Sequence, residues 1–209
     1  MSHALTLMQW LSPAFPVGAF AYSHGLEQVI ADGAVADAQD LQDWLEAVLE
    51  HGSGQADAVL LAVAHQTEDP ARVDAAARAF AASAERLQET TLQGAAFCDT
   101  VRAVWALELD GLTYPVAVGA AARAMGIPLA QTLSLYLHAF ASNLVSVAQR
   151  AMPLGQTDGQ RVLATLAPVI QCTAHAAATA TLDDLTSSSF AADIAAMRHE
   201  TLQPRIFRT

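Results

Sequence analysis

Apolar side chains recur along most of the chain every three to four positions, which is the period of an α-helix. One clear stripe consists of Leu41, Trp44, Leu45, Val48 and Leu49. Asp37 precedes this stripe as a predicted N-cap, and Gly52 follows it as a predicted stop. No convincing alternation of apolar and polar residues predicts a β-strand. We therefore predict an all-α protein.

Proline, glycine and short polar segments divide the predicted helices. We predict breaks at Asp110-Gly111, at Gly126-Ile127-Pro128, at Pro153 to Gly155 and over residues 183–189, with a bend near Pro168. Thr157 and Gln160 have the spacing of a capping box, which predicts a helix start at Thr157. No repeat of fixed period is evident. We predict one helical-bundle domain, residues 1–197, followed by a C-terminal tail, residues 198–209.

One stretch is long enough to cross a membrane, because residues 124–149 contain no formally charged side chain. Polar side chains, among them Gln131, His138 and Asn143, interrupt it, and we predict instead a central helix buried by protein. The N-terminus has neither the basic region nor the apolar region of a secretory signal, so we expect a cytoplasmic protein.

Charge is distributed unevenly in a chain of 209 residues with a formal net charge of −11. Residues 1–71 contain ten acidic residues, the first cation is Arg72, and the chain has no lysine. Nucleic acid is therefore a poor partner, because phosphate binding needs a basic face. The acidic third is either a solvated surface or a face for a basic partner. Without lysine there is no P-loop and no Schiff base.

The sequence gives no pattern of catalytic or metal-binding residues. The seven histidines are His3, His24, His51, His65, His138, His175 and His199. None pairs with another at helical spacing, and Cys98 and Cys172 are isolated residues that we interpret as small core side chains. The nucleophile motif G-x-S-x-G is absent. We predict no catalytic residue, no cofactor and no tight metal site in the isolated chain.

Three segments are unusual for a purely structural role. Residues 12–27, the N-terminal segment, place Gly25 in a predicted helix, where glycine costs about 1 kcal/mol relative to alanine. Such a glycine indicates close approach of another backbone, from this fold or from a partner. Residues 150–160 repeat the pair Gly-Gln. Residues 198–209, the C-terminal segment, hold three of ten arginines but no apolar stripe, and we predict that they become ordered on a partner rather than on their own domain.

Together, these segments resemble the UreF family of urease accessory proteins. Residues 12–27 match the family pattern S-P-x-x-P-x-G-x-F-x-x-S-x-G-L-E, and residues 153–160 match P-L/F-G-Q-x-x-G-Q. Residues 198–209 resemble the closing pattern R-H-E-T-Q-x-x-R-L-F-R-S. The resemblance is strongest over residues 7–33, 136–163 and 183–209, whereas residues 34–112 have a generic helical pattern.

The resemblance implies an all-α, dimeric, non-enzymatic chaperone that binds UreD (UreH in some systems). It then recruits the GTPase UreG, which delivers nickel to apo-urease. By motif position, Ser23, Glu27 and Arg150 are expected to face UreG, and Arg205, Phe207 and Arg208 to dock UreD. The remaining expected partner-binding residues are Gln156, Gln160, His199 and Glu200. An alternative is a GTPase-activating regulator with Arg150 as an arginine finger. A third hypothesis, a helical hydrolase, lacks any visible cluster of acid, base and nucleophile.

Overall fold

The fold is all-α, as predicted, in a computed structural model that describes residues 2–208. Met1 and Thr209, the outermost residues of the predicted domain and tail, lie outside the described residues. The helices within that range are α1 (His3–Trp10), α2 (Leu26–Ala31), α3 (Ala38–His51), α4 (Ser53–Gln66), α5 (Ala71–Phe80), α6 (Ala84–Trp105), α7 (Tyr114–Ala124), α8 (Leu129–Ala151), α9 (Gln156–Thr165), α10 (Ala167–Ala177) and α11 (Phe190–His199). Two short 3-10 turns, Ala19–Ala21 and Leu182–Asp184, lie between them.

Most predicted helix ends are confirmed. The Asp37 side chain accepts hydrogen bonds from the backbone N–H groups of Gln39 (2.8 Å) and Asp40 (3.0 Å), as an N-cap does. Gly126, two residues after the end of α7, has a φ of 64°, a left-handed conformation that glycine adopts without strain. The helix before Pro168 is interrupted at Leu166. These helix ends are therefore determined by residues close to them in sequence: a capping side chain, a glycine or a proline.

The predictions for Thr157 and for Cys172 are wrong. The helix that follows Gly155 begins at Gln156 and has no side-chain cap, so Thr157 and Gln160 do not form a capping box. Asp158 accepts a hydrogen bond from Arg161 (2.5 Å) in the first turn of that helix instead. Cys98 is a buried core residue as expected, but Cys172 is exposed on α10, because it lies on the face of that helix turned away from the core.

The backbone around Gly25 differs from the predicted helix. His24 and Gly25 have φ values of 53° and 80°, and the helix starts only at Leu26. A Cβ atom at Gly25 would lie 2.7 Å from the backbone nitrogen of Ala196 in α11. The close approach inferred from this glycine is therefore confirmed, and the approaching backbone belongs to the same chain.

Helices α4 and α7 form the centre of the bundle. Helix α7 packs against α4 and α6, while α4 also contacts α3, α5, α8 and α10. At the N-terminal side, Trp10 makes edge-to-face contacts with Phe97 (5.4 Å between ring centroids) and Trp105 (5.7 Å). Helix α8 buries Leu133, Leu137 and Leu144 against the bundle, as its apolar pattern predicted. Among the described residues, no helix has the length and apolarity needed to cross a bilayer.

The close packing of α4 and α7 depends on Gly119. A Cβ atom there would overlap the carbonyl oxygen of Leu61 and lie 3.1 Å from the Cβ atom of Ala64. We expect Gly119→Ala to lower the free energy of unfolding by about 1–3 kcal/mol, although helix propensity alone would raise it by about 1 kcal/mol. Urea unfolding measures the change. The exposed substitution Ala103→Ser should have little effect, and a stabilised Gly119→Ala variant would contradict the close approach.

Candidate functional site

Two of the three unusual segments, the N-terminal segment and the C-terminal segment, meet at the side chain of Glu27, which is only 6% exposed. Its Oε1 accepts a hydrogen bond from the backbone N–H of Ile206 (2.6 Å). Its Oε2 accepts one from the N–H of Phe207 (3.0 Å) and lies 2.9 Å from Nε2 of His199. A single carboxylate therefore connects α2, the end of α11 and the C-terminal segment.

His199 extends this contact to α6. Its side chain is fully buried, and its Nδ1 lies 2.8 Å from Oε2 of Glu85. The other oxygen of Glu85 accepts a hydrogen bond from Arg205 (2.5 Å). Because carboxylates have only acceptor atoms when ionised, both ring nitrogens of His199 face acceptors. We call Glu27, Glu85, His199 and Arg205 the Glu27 cluster.

The C-terminal segment is also held by apolar and backbone contacts. Phe207 is 3% exposed, and the guanidinium carbon of Arg150 lies 4.4 Å above its ring. Arg150 also donates a hydrogen bond to the carbonyl oxygen of Phe20 (2.7 Å), and burial lowers its pKa from the usual value. The N–H of Arg208 donates to the carbonyl oxygen of Ala21 (2.8 Å). These bonds fasten the C-terminal segment to the N-terminal segment.

The expectation that the C-terminal segment would not dock on its own domain is therefore wrong for the described residues 198–208. That expectation rested on the lack of an apolar stripe within the segment itself. The stabilisation comes instead from groups far away in sequence, namely Glu27, Glu85 and Arg150. Hydrogen bonds to a buried charged group contribute about 1.5–3 kcal/mol each, which offsets much of the cost of ordering a short segment.

The predicted partner-binding residues divide into buried and exposed groups. Ser23, Glu27, His199 and Phe207 are buried and are not accessible as a surface, which corrects the expectation that Ser23 and Glu27 face UreG. The Ser23 Oγ accepts a hydrogen bond from the N–H of Glu27 (3.4 Å). The exposed group consists of Arg150, Gln156, Gln160, Glu200, Arg205 and Arg208.

The exposed residues do not all lie in one place. Glu200 accepts a hydrogen bond from the N–H of Ala84 (2.9 Å), at the start of α6 and therefore close to Glu85. Gln156 and Gln160 lie on α9, whose main neighbours are α3, α8 and α10. The structure thus brings Arg150, Glu200, Arg205 and Arg208 to the Glu27 cluster and its surroundings, and leaves the two glutamines apart from it.

Sequence reasoning missed a second set of polar side chains, the buried ionic network, whose members are His24, Asp57, Arg86, Glu89 and Tyr136. Arg86 donates to both carboxylate oxygens of Asp57 (2.6 and 2.7 Å), and the Tyr136 hydroxyl donates to Asp57 (2.9 Å). Glu89 lies 3.3 Å from Arg86 and 2.9 Å from Nε2 of His24. The network connects α4, α6, α8 and the N-terminal segment.

The pKa values in this network follow from burial and charge. Burial alone would raise the pKa of Glu89, but the charges and hydrogen bonds of His24 and Arg86 outweigh it and hold the pKa below its usual value. Burial, together with the charge of Asp57, holds the pKa of Tyr136 well above its usual value. A signal existed in the sequence, because Arg86 and Glu89 share one helix face and Asp57 interrupts an apolar helix.

The fold and these clusters define an all-helical protein whose charged groups hold its own segments together. Residues 2–208 contain no group of three or more His, Cys, Asp or Glu residues placed to hold a metal ion. A sequence model of the family described as UreF matches residues 35–167.

Several relatives match over nearly the whole chain, and each is named urease accessory protein UreF. The relative from Roseobacter denitrificans is 60% identical over 207 residues, which cover 98% of this chain and 93% of the relative. Those from a Ruegeria species and from Cereibacter sphaeroides are 57% and 53% identical, and cover 98% and 100% of this chain and 97% and 100% of the relatives. The chain belongs to the UreF family of urease accessory proteins.

The contacts of Glu27 predict that its carboxylate holds the backbone of the C-terminal segment in place. Glu27→Gln keeps the shape of the side chain but removes the charge and one acceptor oxygen. We expect hydrogen exchange at the amides of Ile206 and Phe207 to become about 10- to 100-fold faster, because each loses a charge-assisted hydrogen bond.

Mass spectrometry or NMR measures this exchange. The matched control is Glu108→Gln, since the Glu108 side chain is 84% exposed. Unchanged exchange at Ile206 and Phe207 in Glu27→Gln would show that another contact holds the segment.

Proposed function

We propose that this chain is a non-catalytic adaptor in urease maturation. It binds the accessory protein UreD (UreH) and recruits the GTPase UreG, so that nickel is inserted into apo-urease. Membership of the UreF family and the names of the relatives support a role in urease maturation. The resemblance of residues 12–27, 153–160 and 198–209 to the family patterns supports the particular partners.

The observation that carries this proposal is the exposed surface that Arg205, Ile206 and Arg208 form next to the Glu27 cluster. Phe207 points into the fold, whereas its neighbour Ile206 is 68% exposed and lies between the exposed residues Arg205 and Arg208. The C-terminal segment therefore presents an apolar side chain flanked by two cations, while the carboxylate of Glu27 holds its backbone by hydrogen bonds. A preorganised surface of this kind binds a partner without the cost of ordering a free segment.

Helix α11, which leads into that segment, adds a second apolar feature. Phe190, Ile194 and Met197 are 69%, 54% and 51% exposed, and their spacing places them on one face of the helix. An exposed apolar face next to a cationic segment is typical of protein-binding surfaces. We propose that UreD covers Ile206 and this face of α11.

Arg150 carries the proposed contact with UreG, together with Gln156 and Gln160 on α9. Ser23 and Glu27 act indirectly, because they hold the backbone that Arg150 and the C-terminal segment contact. A homodimer is part of this proposal and follows from the family resemblance. The acidic surface of the N-terminal third remains available to a basic partner.

The GTPase-activating alternative finds less support. An arginine finger places its guanidinium in the active site of a neighbouring GTPase. The guanidinium of Arg150 is engaged by the carbonyl oxygen of Phe20 and by the ring of Phe207. Use as a finger requires breaking both contacts, so we propose the adaptor.

Co-purification with UreD tests the proposed docking surface. Ile206→Asp should weaken binding at least about tenfold, because it buries a new carboxylate in an apolar contact, and should leave the melting temperature unchanged. The matched control is Val104→Asp. Val104 is also an exposed apolar side chain, 60% exposed, and it lies in the last turn of α6, whereas the Glu27 cluster contacts the first turn of that helix. UreD binding by Ile206→Asp at wild-type affinity would remove Ile206 from the interface.

Arg150→Ala separates the adaptor from the GTPase activator. The adaptor hypothesis expects a folded variant with weaker recruitment of UreG, and with normal GTP turnover once the variant saturates UreG. An arginine finger is worth about 10³–10⁵ in turnover, so the alternative expects turnover to stay low at saturation. Titration of UreG with the variant, with GTP hydrolysis measured in parallel, distinguishes these outcomes. Recruitment equal to wild type would leave Arg150 with a structural role only.

A further inference from the structure

A cavity of about 220 Å³ lies where α4, the end of α5 and the start of α6 meet α11. Its walls are mainly apolar and include Ala56, Leu60, Phe80, Pro115 and Met197. No member of the Glu27 cluster lines it. The cavity is therefore a separate feature of the domain, which the adaptor proposal has not yet used.

The cavity borders the apolar face of α11 that is assigned above to UreD. Met197 belongs to that face, is 51% exposed and also lines the cavity. Asp193, one turn earlier on α11, lines it as well, and its carboxylate accepts a hydrogen bond from the hydroxyl of Ser187 (2.7 Å). The backbone N–H of Ser189 donates to the carbonyl oxygen of His51 (3.0 Å) at the end of α3. These bonds hold α11 in place beside the cavity, so the cavity and the apolar face form one preorganised surface.

The size of the cavity indicates a single side chain as its occupant rather than a free small molecule. Small-molecule sites typically have volumes of about 300–1,000 Å³. An apolar cavity of about 150 Å³, in contrast, is large enough for a benzene ring. A volume of about 220 Å³ therefore suits one aromatic or large aliphatic side chain.

The charged groups of the lining indicate an uncharged occupant. Among the described residues that line the cavity, these groups are Asp57, Arg86 and Asp193. Arg86 donates to both carboxylate oxygens of Asp57 (2.6 and 2.7 Å), so neither of these two buried groups is available to a charged group that enters. Burying a charge in an apolar space without a partner is costly. An apolar side chain avoids this cost.

We propose that this cavity accepts one large apolar side chain of UreD, aromatic or aliphatic, when UreD covers the neighbouring face of α11. The side chain contacts Leu60 and Phe80 inside the cavity, and Met197 packs against it at the rim. Protein interfaces gain most of their affinity from a few such anchors that fill a pocket of the partner. This inference rests on the proposed adaptor function, because it names the anchor of the contact with UreD.

Methyl NMR of the wild-type chain during titration with UreD tests whether a side chain enters the cavity. Leu60 is only 4% exposed, so its methyl signals respond to a group inside the cavity, whereas Met197 responds to any partner that covers α11. We expect both signals to shift and to saturate at the same UreD concentration. A shift of Met197 with an unchanged Leu60 would overturn the cavity proposal and leave the adaptor function intact. Absence of any UreD binding would overturn both.

A variant that fills the cavity provides the second test. Ala82→Phe places a ring in the cavity from the connection between α5 and α6, and should weaken UreD binding at least about tenfold. The matched control is Ala103→Phe, at an exposed position of α6 outside the cavity, which should bind as wild type does. UreD binding by Ala82→Phe at wild-type affinity overturns the proposal, and if this variant does not fold, the Leu60 signal of the wild-type chain decides. A Leu60 shift that depends on the concentration of the chain alone would assign the cavity to a second copy and would also overturn it.

Discussion

The buried carboxylate of Glu27 is the interaction on which the arrangement of the proposed partner-binding surface depends. It accepts hydrogen bonds from two backbone N–H groups of the C-terminal segment and contacts His199, while lying almost completely out of solvent. A buried carboxylate without hydrogen-bond donors is costly, so the burial of Glu27 depends on these N–H groups. The N–H groups in turn depend on Glu27 as their acceptor. The C-terminal segment is thus part of the folded domain, even though it has no apolar stripe of its own.

A second constraint is the close approach of backbones at Gly25 and Gly119. Gly25 allows α11 to reach α2, and this contact brings His199 within hydrogen-bond distance of Glu27. Gly119 allows α7 to pack against the backbone of α4, which also carries Asp57 of the buried ionic network. Small residues therefore set the distances at which the charged groups meet.

Both polar clusters use α6, although the sequence of this helix has a generic pattern. Glu85 belongs to the Glu27 cluster, and Arg86 and Glu89 belong to the buried ionic network, so adjacent positions of one helix serve two sites. The first cluster fixes the surface that we propose for UreD. The second connects α4, α6, α8 and the N-terminal segment, so the two clusters have separate polar groups.

The sequence by itself determined the helical class, most helix ends and the family. Helical periodicity, the Asp37 cap and the breaks at Gly126 and Pro168 depend on neighbouring residues, and short-range pattern is enough to predict them. The capping box at Thr157 failed because the helix already begins at Gln156, with Gly155 at the N-cap position, so Thr157 lies inside the first turn. The family patterns also identified Glu27, Arg150, His199 and Phe207 as special residues.

Only the tertiary structure decided what those residues do. Glu27 and Phe207 are separated by 180 positions, and the hydrogen bond that joins them depends on how α2, α6 and α11 pack. The same holds for Arg86 with Asp57, and for the unpaired Nδ1 of His24. Burial turned Ser23 and Glu27 from expected surface residues into internal supports, because whether a polar side chain faces solvent or a partner within the fold depends on contacts that are distant in the chain.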